Sequence, residues 1–165
     1  MSRIRKFGGA GLTLLMVVTI VVVQGILNYH FRVFRYFDLP LIYCVYYGFT
    51  RSRPVASAFI GSGLGLLQDS LSGWPMGTNG FSKALICFAA ASTSLKFNVD
   101  QAITRIFALF LFTVADGLLV TMLGLAMSTG GGPGAQLPEL ALSGVFNTLL
   151  GLIMFGFRDR YKHAA

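Results

Sequence analysis

Residues Gly61–Phe88 read GSGLGLLQDSLSGWPMGTNGFSKALICF, two apolar stretches separated by a Gly-Trp-Pro turn. An acid, Asp69, precedes this turn, and a base, Lys83, follows it. Glycine recurs in the first stretch, and small residues let neighbouring helices approach closely in lipid. The stretch therefore predicts a hairpin of two closely packed helices, with one charged residue in each arm.

The rest of the chain is as hydrophobic as this hairpin. Of 165 residues, 55% are hydrophobic and 12% are charged, and the mean hydropathy is +0.70. An ordinary soluble domain is about 25% charged. Residues 8–27 form an uncharged run of twenty residues, which is about the length a helix needs to cross the hydrocarbon core. This composition predicts an integral membrane protein.

Five apolar segments are long enough to span a membrane, and a sixth, residues 39–50, is short. Lys83 lies within a segment and is left out of the count. If residues 39–50 span, ten of the other lysines and arginines lie in the cytoplasm and two outside; otherwise the counts are three and nine. The excess of cytoplasmic positive charge found in membrane proteins favours the first arrangement. We therefore expect an all-α bundle of six transmembrane helices, one domain over residues 1–165, with both termini cytoplasmic. The expected spans are 8–27, 34–50, 54–71, 78–95, 106–128 and 137–157, so that the second helix extends back to about Phe34.

Three of the expected helices carry small and polar residues at helical spacing on one face. A charge inside a span costs about 2.5–3.5 kcal/mol and so normally finds a partner. Asp116 is the deepest of the charged residues within these spans. The candidates for partner binding or for structural contacts are Asp69, Lys83, Asp116, Gly61, Gly65 and Asn147.

Two roles stay open for the charged residues of the hairpin. Asp69 and Lys83 could pair across the turn and hold it, or they could bind a partner or ligand. Asp116 could act in function, or it could be protonated and hydrogen-bonded to a neighbouring helix as a structural contact.

No pattern in the sequence predicts catalysis, a metal site or a cofactor. Cys44 and Cys87 lack C-x-x-C spacing, and the two histidines are far apart in the sequence. The acids lie in the contexts LLQD and VADG, unlike the Tyr-Asp and Gly-x-Gly-Asp contexts of intramembrane aspartyl proteases. Basic residues lie where the apolar segments end, as membrane orientation requires, which argues against nucleic-acid binding. We therefore expect a non-enzymatic protein.

Residues 63–85, GLGLLQDSLSGWPMGTNGFSKAL, resemble the MreD family of bacterial rod shape-determining membrane proteins. The similar features are the Gly-Leu-Leu-x-Asp helix end, the Ser-Gly turn, Pro-Met-Gly and the helix that follows. Chain length, six spans and a short basic C-terminal tail are similar as well. Lys83 and the short, tyrosine-rich second helix depart from the family pattern. Asp69 is the one residue that the resemblance matches to a functional position of the family.

The resemblance implies a non-enzymatic subunit of the cell-elongation (rod) complex in the bacterial cytoplasmic (inner) membrane. Its implied partners are the membrane protein MreC, the RodA glycosyltransferase, a class B penicillin-binding transpeptidase and, indirectly, MreB, besides membrane lipid. By binding MreC, such a subunit would help to position peptidoglycan synthases and maintain rod shape. The six-helix layout is also similar to that of substrate-binding subunits of energy-coupling-factor vitamin transporters. The alternative is therefore a subunit that binds a small molecule.

Overall fold

A computed structural model of the chain describes residues 2–30, 36–72, 75–97, 99, 101–127 and 137–163. Within these ranges, side chains are described except at 2–10, 12–14, 102, 137–139 and 157–163. The described residues form six helices and no strand, which confirms the predicted all-α class. The helices are α1 (Ser2–His30), α2 (Leu39–Arg51), α3 (Pro54–Ser72), α4 (Thr78–Lys96), α5 (Ala102–Met127) and α6 (Leu137–His163).

One stretch among the described residues, Ile103–Met127 in α5, is long and apolar enough by length and composition to cross a membrane. Shorter apolar stretches occur at Leu15–His30 in α1 and at Leu140–Gly156 in α6. The number of membrane spans therefore stays a prediction.

The shortest helix, α2, lies at the centre of the bundle and packs against each of the other five. Its 13 residues extend for about 20 Å at 1.5 Å per residue, which is less than the roughly 30 Å of a hydrocarbon core. A helix end at membrane depth is tolerated where protein surrounds it. The buried residues of α2 are Pro40, Leu41, Ile42, Tyr43, Cys44, Val45, Gly48 and Phe49.

The predicted extension of the second helix back to about Phe34 is wrong. Residues 31–35 lie outside the described ranges, but α2 begins only at Leu39, with Asp38 as its N-cap. The Asp38 Oδ1 accepts a hydrogen bond from the Leu41 N–H at 3.0 Å. Pro40 follows in the first turn, where its missing N–H costs nothing. The run of aromatic residues before Asp38 continues the hydrophobic pattern, but the capping residue sets the start of the helix.

Apolar clusters lie on two sides of α2. One joins α2 to α4, α5 and α6 and includes Val45, Phe112 and Phe155. The other joins α2 to α1, α3 and α4 and includes Val21 and Leu64. The pair α5–α6 therefore lies on one side of α2, and the pair α1–α3 lies on another.

The closest helix pair is the α3–α4 hairpin, as the glycine spacing predicts. A Cβ atom added at Gly61 would collide with the carbonyl oxygen of Lys83, and one added at Gly65 would collide with that of Asn79. Both glycines therefore let the two helix backbones touch. By contrast, a Cβ added at Gly63 would meet no atom within 4 Å.

Gly61→Ala and Gly65→Ala should each destabilise the fold, because the methyl group meets backbone that cannot move aside. Overpacking of this kind costs about 1–3 kcal/mol. The matched control Gly63→Ala should be neutral or stabilising by up to about 1 kcal/mol, since alanine favours helix over glycine. Thermal unfolding of the purified proteins in detergent measures the difference; equal effects at all three positions would contradict this packing.

Candidate functional site

Lys83 is a lysine with no exposed side-chain surface, and it lies at the centre of a group of polar residues. Its Nζ lies 2.9 Å from Asp38 Oδ2 and 3.3 Å from Asp116 Oδ2. It also donates a hydrogen bond to Asn79 Oδ1 at 3.3 Å. A lysine ammonium group has three donors, so these three acceptors use its full capacity. They belong to the start of α2, to α5 and to the preceding turn of α4.

Both carboxylates that face Lys83 have further donors. Asp116 Oδ1 accepts a hydrogen bond from Ser82 Oγ at 2.6 Å, so neighbouring residues of α4 hold both oxygens of this α5 carboxylate. Asp38 uses its second oxygen to cap α2. A buried charge is strongly unfavourable without a partner and additional hydrogen bonds. The cluster meets this requirement with contacts between helices.

Side chains from α1 and α6 satisfy the non-helical backbone around Asp38. Asn147 Oδ1 in α6 accepts a hydrogen bond from the Asp38 N–H at 2.9 Å. Gln24 in α1 donates to the Phe37 carbonyl oxygen at 2.6 Å and accepts from the Leu39 N–H at 3.2 Å. Unpaired backbone groups cost several kcal/mol in lipid. These two buried amides therefore let α2 begin inside the protein.

Asp69, at the end of α3, holds the start of α4. Its Oδ2 accepts hydrogen bonds from the N–H groups of Gly77 at 2.9 Å and Gly80 at 3.2 Å. Its Oδ1 accepts from the Asn79 N–H at 3.1 Å and from Asn79 Nδ2 at 2.8 Å. A carboxylate at a helix N-terminus satisfies free N–H groups and complements the helix dipole. Gly77 precedes α4 with φ of 98°, a left-handed conformation that favours glycine.

These contacts form one connected set that includes residues from all six helices or their caps, and we refer to it as the polar network. Asp69 and Lys83 do not pair with each other; Asn79 lies between them and bonds to both. Asp116 pairs with Lys83 inside the bundle. The polar network consists of Gln24, Asp38, Asp69, Asn79, Ser82, Lys83, Asp116 and Asn147.

The structure brings together four of the residues singled out from the sequence, namely Asp69, Lys83, Asp116 and Asn147. It places Gly61 and Gly65 in the helix contact beside them. Sequence reasoning missed four members, Gln24, Asp38, Asn79 and Ser82. A signal for Asp38 was present, because an acid followed by Leu-Pro is typical of a helix start. The three others are uncharged residues in apolar runs, without a comparable signal.

The chemistry of the polar network is suited to holding helices together. Ser82 and Lys83 are fully buried, and they donate hydrogen bonds to Asp116 in α5 and, from Lys83, to Asp38 at the start of α2. Among the described residues, no group of three His, Cys, Asp or Glu side chains could hold a metal ion.

A family model described as rod shape-determining protein MreD matches residues 5–160. The chain belongs to the MreD family. This confirms the resemblance found in the hairpin. The family consists of bacterial membrane proteins with a structural role in rod-shape determination, and it is not known for enzymatic activity. Comparisons with curated proteins and with solved structures found no significant match.

Lys83→Met should destabilise the protein by about 3–5 kcal/mol, because it leaves the buried carboxylate of Asp116 and the partly buried carboxylate of Asp38 without their cation. Adding Asp38→Asn and Asp116→Asn to Lys83→Met should recover part of this loss, since the triple variant has no unpaired charge in the cluster. Unfolding by denaturant in detergent micelles provides the comparison. A triple variant less stable than Lys83→Met would contradict the proposed ion pairs.

Asp69→Asn should loosen the start of α4, because the amide replaces one acceptor oxygen with a donor facing backbone N–H groups. Hydrogen bonds to a charged group contribute about 1.5–3 kcal/mol. Hydrogen exchange at the amides of Gly77, Asn79 and Gly80 should become faster. The exposed neighbour Ser70 serves as the control, since Ser70→Ala should leave these amides protected; unchanged protection in Asp69→Asn would rule out the capping role.

Proposed function

We propose that this chain is a non-enzymatic subunit of the bacterial cell-elongation (rod) complex that crosses the inner membrane six times. In this proposal both termini are cytoplasmic. The observation that carries the proposal is the polar network, which joins all six helices of a chain that belongs to a family of membrane proteins. Such a network suits a scaffold that holds its shape in lipid.

The position of the polar network supports a membrane setting. With Arg51 at the cytoplasmic surface, the start of α2 lies about 20 Å away along the helix axis. Asp38 and Lys83 would then lie inside a hydrocarbon core of about 30 Å, below its outer surface. Charged groups at this depth need partners within the protein. The three acceptors around Lys83 supply them.

The network also explains how a short, central helix fits a six-span arrangement. The helices α3 and α4 have 19 residues each and extend for about 28 Å, close to the thickness of the core. The shorter α2 packs against each of the other five helices, and in the six-span arrangement these longer helices would cover the depth that it does not reach. Five helices of about the length of the hydrocarbon core or longer, with the short α2 packed among them, therefore support the six-span proposal.

We propose that the membrane anchor of MreC binds an exposed helix face of this scaffold. MreC bound there would position RodA and the class B penicillin-binding transpeptidase, and would link them indirectly to MreB. We assign Gly61, Gly65 and Asp69 to the internal hairpin contact, because their surfaces are already buried against α4. Their effect on MreC would be indirect, through the shape of the hairpin.

The outer face of α3 is the first surface to test for this contact. Ala56, Gly63 and Ser70 recur there every seven residues, and all three are exposed. Small residues let two helices approach closely in lipid. The vitamin-transporter alternative stays a prediction, because no observation on the described residues favours it.

MreC should co-purify with the full chain in gentle detergent. Gly63→Leu should reduce the retained MreC at least about tenfold, since a loss of 1.4 kcal/mol in a helix contact has that effect. It should not lower the thermal stability of the isolated protein, because a Cβ atom at Gly63 meets no atom within 4 Å. The control is Val22→Leu, a conservative change at an exposed position of α1, which should retain MreC. A stable wild-type protein that never retains MreC would contradict the proposed function, and full retention by Gly63→Leu would exclude this face.

A further inference from the structure

The connection between α2 and α3 is a tight turn with a basic residue on each side. Only Ser52 and Arg53 separate Arg51, the last residue of α2, from Pro54, the first residue of α3. Ser52 has φ of 46°, a left-handed conformation that is uncommon outside glycine. Its N–H donates to the Gly48 carbonyl oxygen at 3.1 Å. The turn leaves both arginines exposed.

The end of α4 packs against this turn and adds a third cation. Ser94 Oγ lies 3.0 Å from Ser52 Oγ, within hydrogen-bond distance, and 3.4 Å from the Gly48 carbonyl oxygen. Lys96, two residues beyond Ser94 in the last turn of α4, is exposed at the same end of the bundle as this turn. We call Arg51, Arg53 and Lys96 the basic patch. Within the described part of the chain, none of these three side chains forms an ion pair or a hydrogen bond.

Helix dipoles account for two of these cations and leave the third unexplained. Arg51 and Lys96 lie in the last turns of α2 and α4, where a cation complements the partial negative charge of the helix end. Arg53 instead precedes α3, and a cation is unfavourable beside the partial positive charge of a helix N-terminus. An anion bound at this position would reverse that cost, because it would interact with Arg53 and with the same helix end.

Exposed apolar side chains lie within two residues of the basic patch along the chain. Val55 in the first turn of α3, Leu95 in the last turn of α4 and Phe97 just after it are each more than 60% exposed. The patch therefore combines cations, which suit a phosphate group, with apolar side chains, which suit acyl chains. Basic side chains next to membrane-spanning helices attract anionic lipid head groups in this way. An acidic peptide would use the cations but not the apolar side chains.

We propose that the basic patch binds an anionic phospholipid at the cytoplasmic surface of the membrane. Its phosphodiester group would lie among Arg51, Arg53 and Lys96, and its acyl chains would lie against Val55, Leu95 and Phe97. This inference rests on the six-span orientation of the proposed function, which puts the α2–α3 turn on the cytoplasmic side.

The test compares phosphatidylglycerol with phosphatidylcholine, added at equal concentration to the full chain in detergent. Native mass spectrometry counts the retained lipids, and thermal unfolding measures the stabilisation. Phosphatidylglycerol should be retained preferentially, and the preference should fall roughly fivefold for each cation removed. The variant Arg51→Gln/Arg53→Gln/Lys96→Gln should therefore show almost no preference between the two lipids.

The matched control is Arg158→Gln/Arg160→Gln/Lys162→Gln, which removes the same charge from the C-terminal end of the chain. This control should keep the lipid preference. Equal retention of both lipids by the wild type, or an equal loss in both triple variants, would overturn the proposal. Equal stabilisation by inorganic phosphate or by a poly-glutamate peptide would also overturn it, because the acyl chains would then have no role. A wild-type protein that retains both lipids equally but still co-purifies with MreC would refute the lipid site and leave the proposed function standing.

Discussion

The ion pairs of Lys83 with Asp38 and Asp116 are the constraint on which the rest of the structure depends. A buried ammonium group is stable only when each of its donors has an acceptor, and here those acceptors come from α2, α4 and α5. Asp38 can reach Lys83 only if α2 begins inside the bundle beside Lys83. This requires Gln24 and Asn147 to form hydrogen bonds with the backbone groups next to the start of α2. The ion pairs of Lys83 therefore depend on the positions of α1 and α6 as well as on those of α2, α4 and α5.

The position of Lys83 depends in turn on the α3–α4 hairpin. Gly61 packs against the backbone of Lys83 itself, and Gly65 packs against the backbone of Asn79. Asp69 holds the first turn of α4, and Asn79 links this cap to Lys83. The hairpin and the ion pairs are therefore one structural unit. Under the proposed function, this unit would keep the outer helix faces fixed for a partner.

Much of this arrangement could be predicted from the sequence, because hydrophobic runs and glycine spacing are local signals. They indicated six helices, the glycine contact in the hairpin and the family to which the chain belongs. They could not show that Lys83 pairs with Asp38 and Asp116, since Lys83 is 45 positions after Asp38 in the sequence and only the packing of α2 brings them together. The predicted start of α2 at about Phe34 is wrong for a local reason, because Asp38 caps the helix and α2 begins only at Leu39.

The most direct test of the account is a distance measurement at Lys83 by solid-state NMR in lipid bilayers. With ¹⁵N at Lys83 Nζ and ¹³C in the aspartate carboxyl groups, dipolar recoupling reports which carboxyl groups lie near the ammonium nitrogen. The account predicts coupling to Asp38 and Asp116, with each signal lost in the corresponding Asp→Asn variant. Coupling to Asp69, or to no carboxyl group, would contradict it.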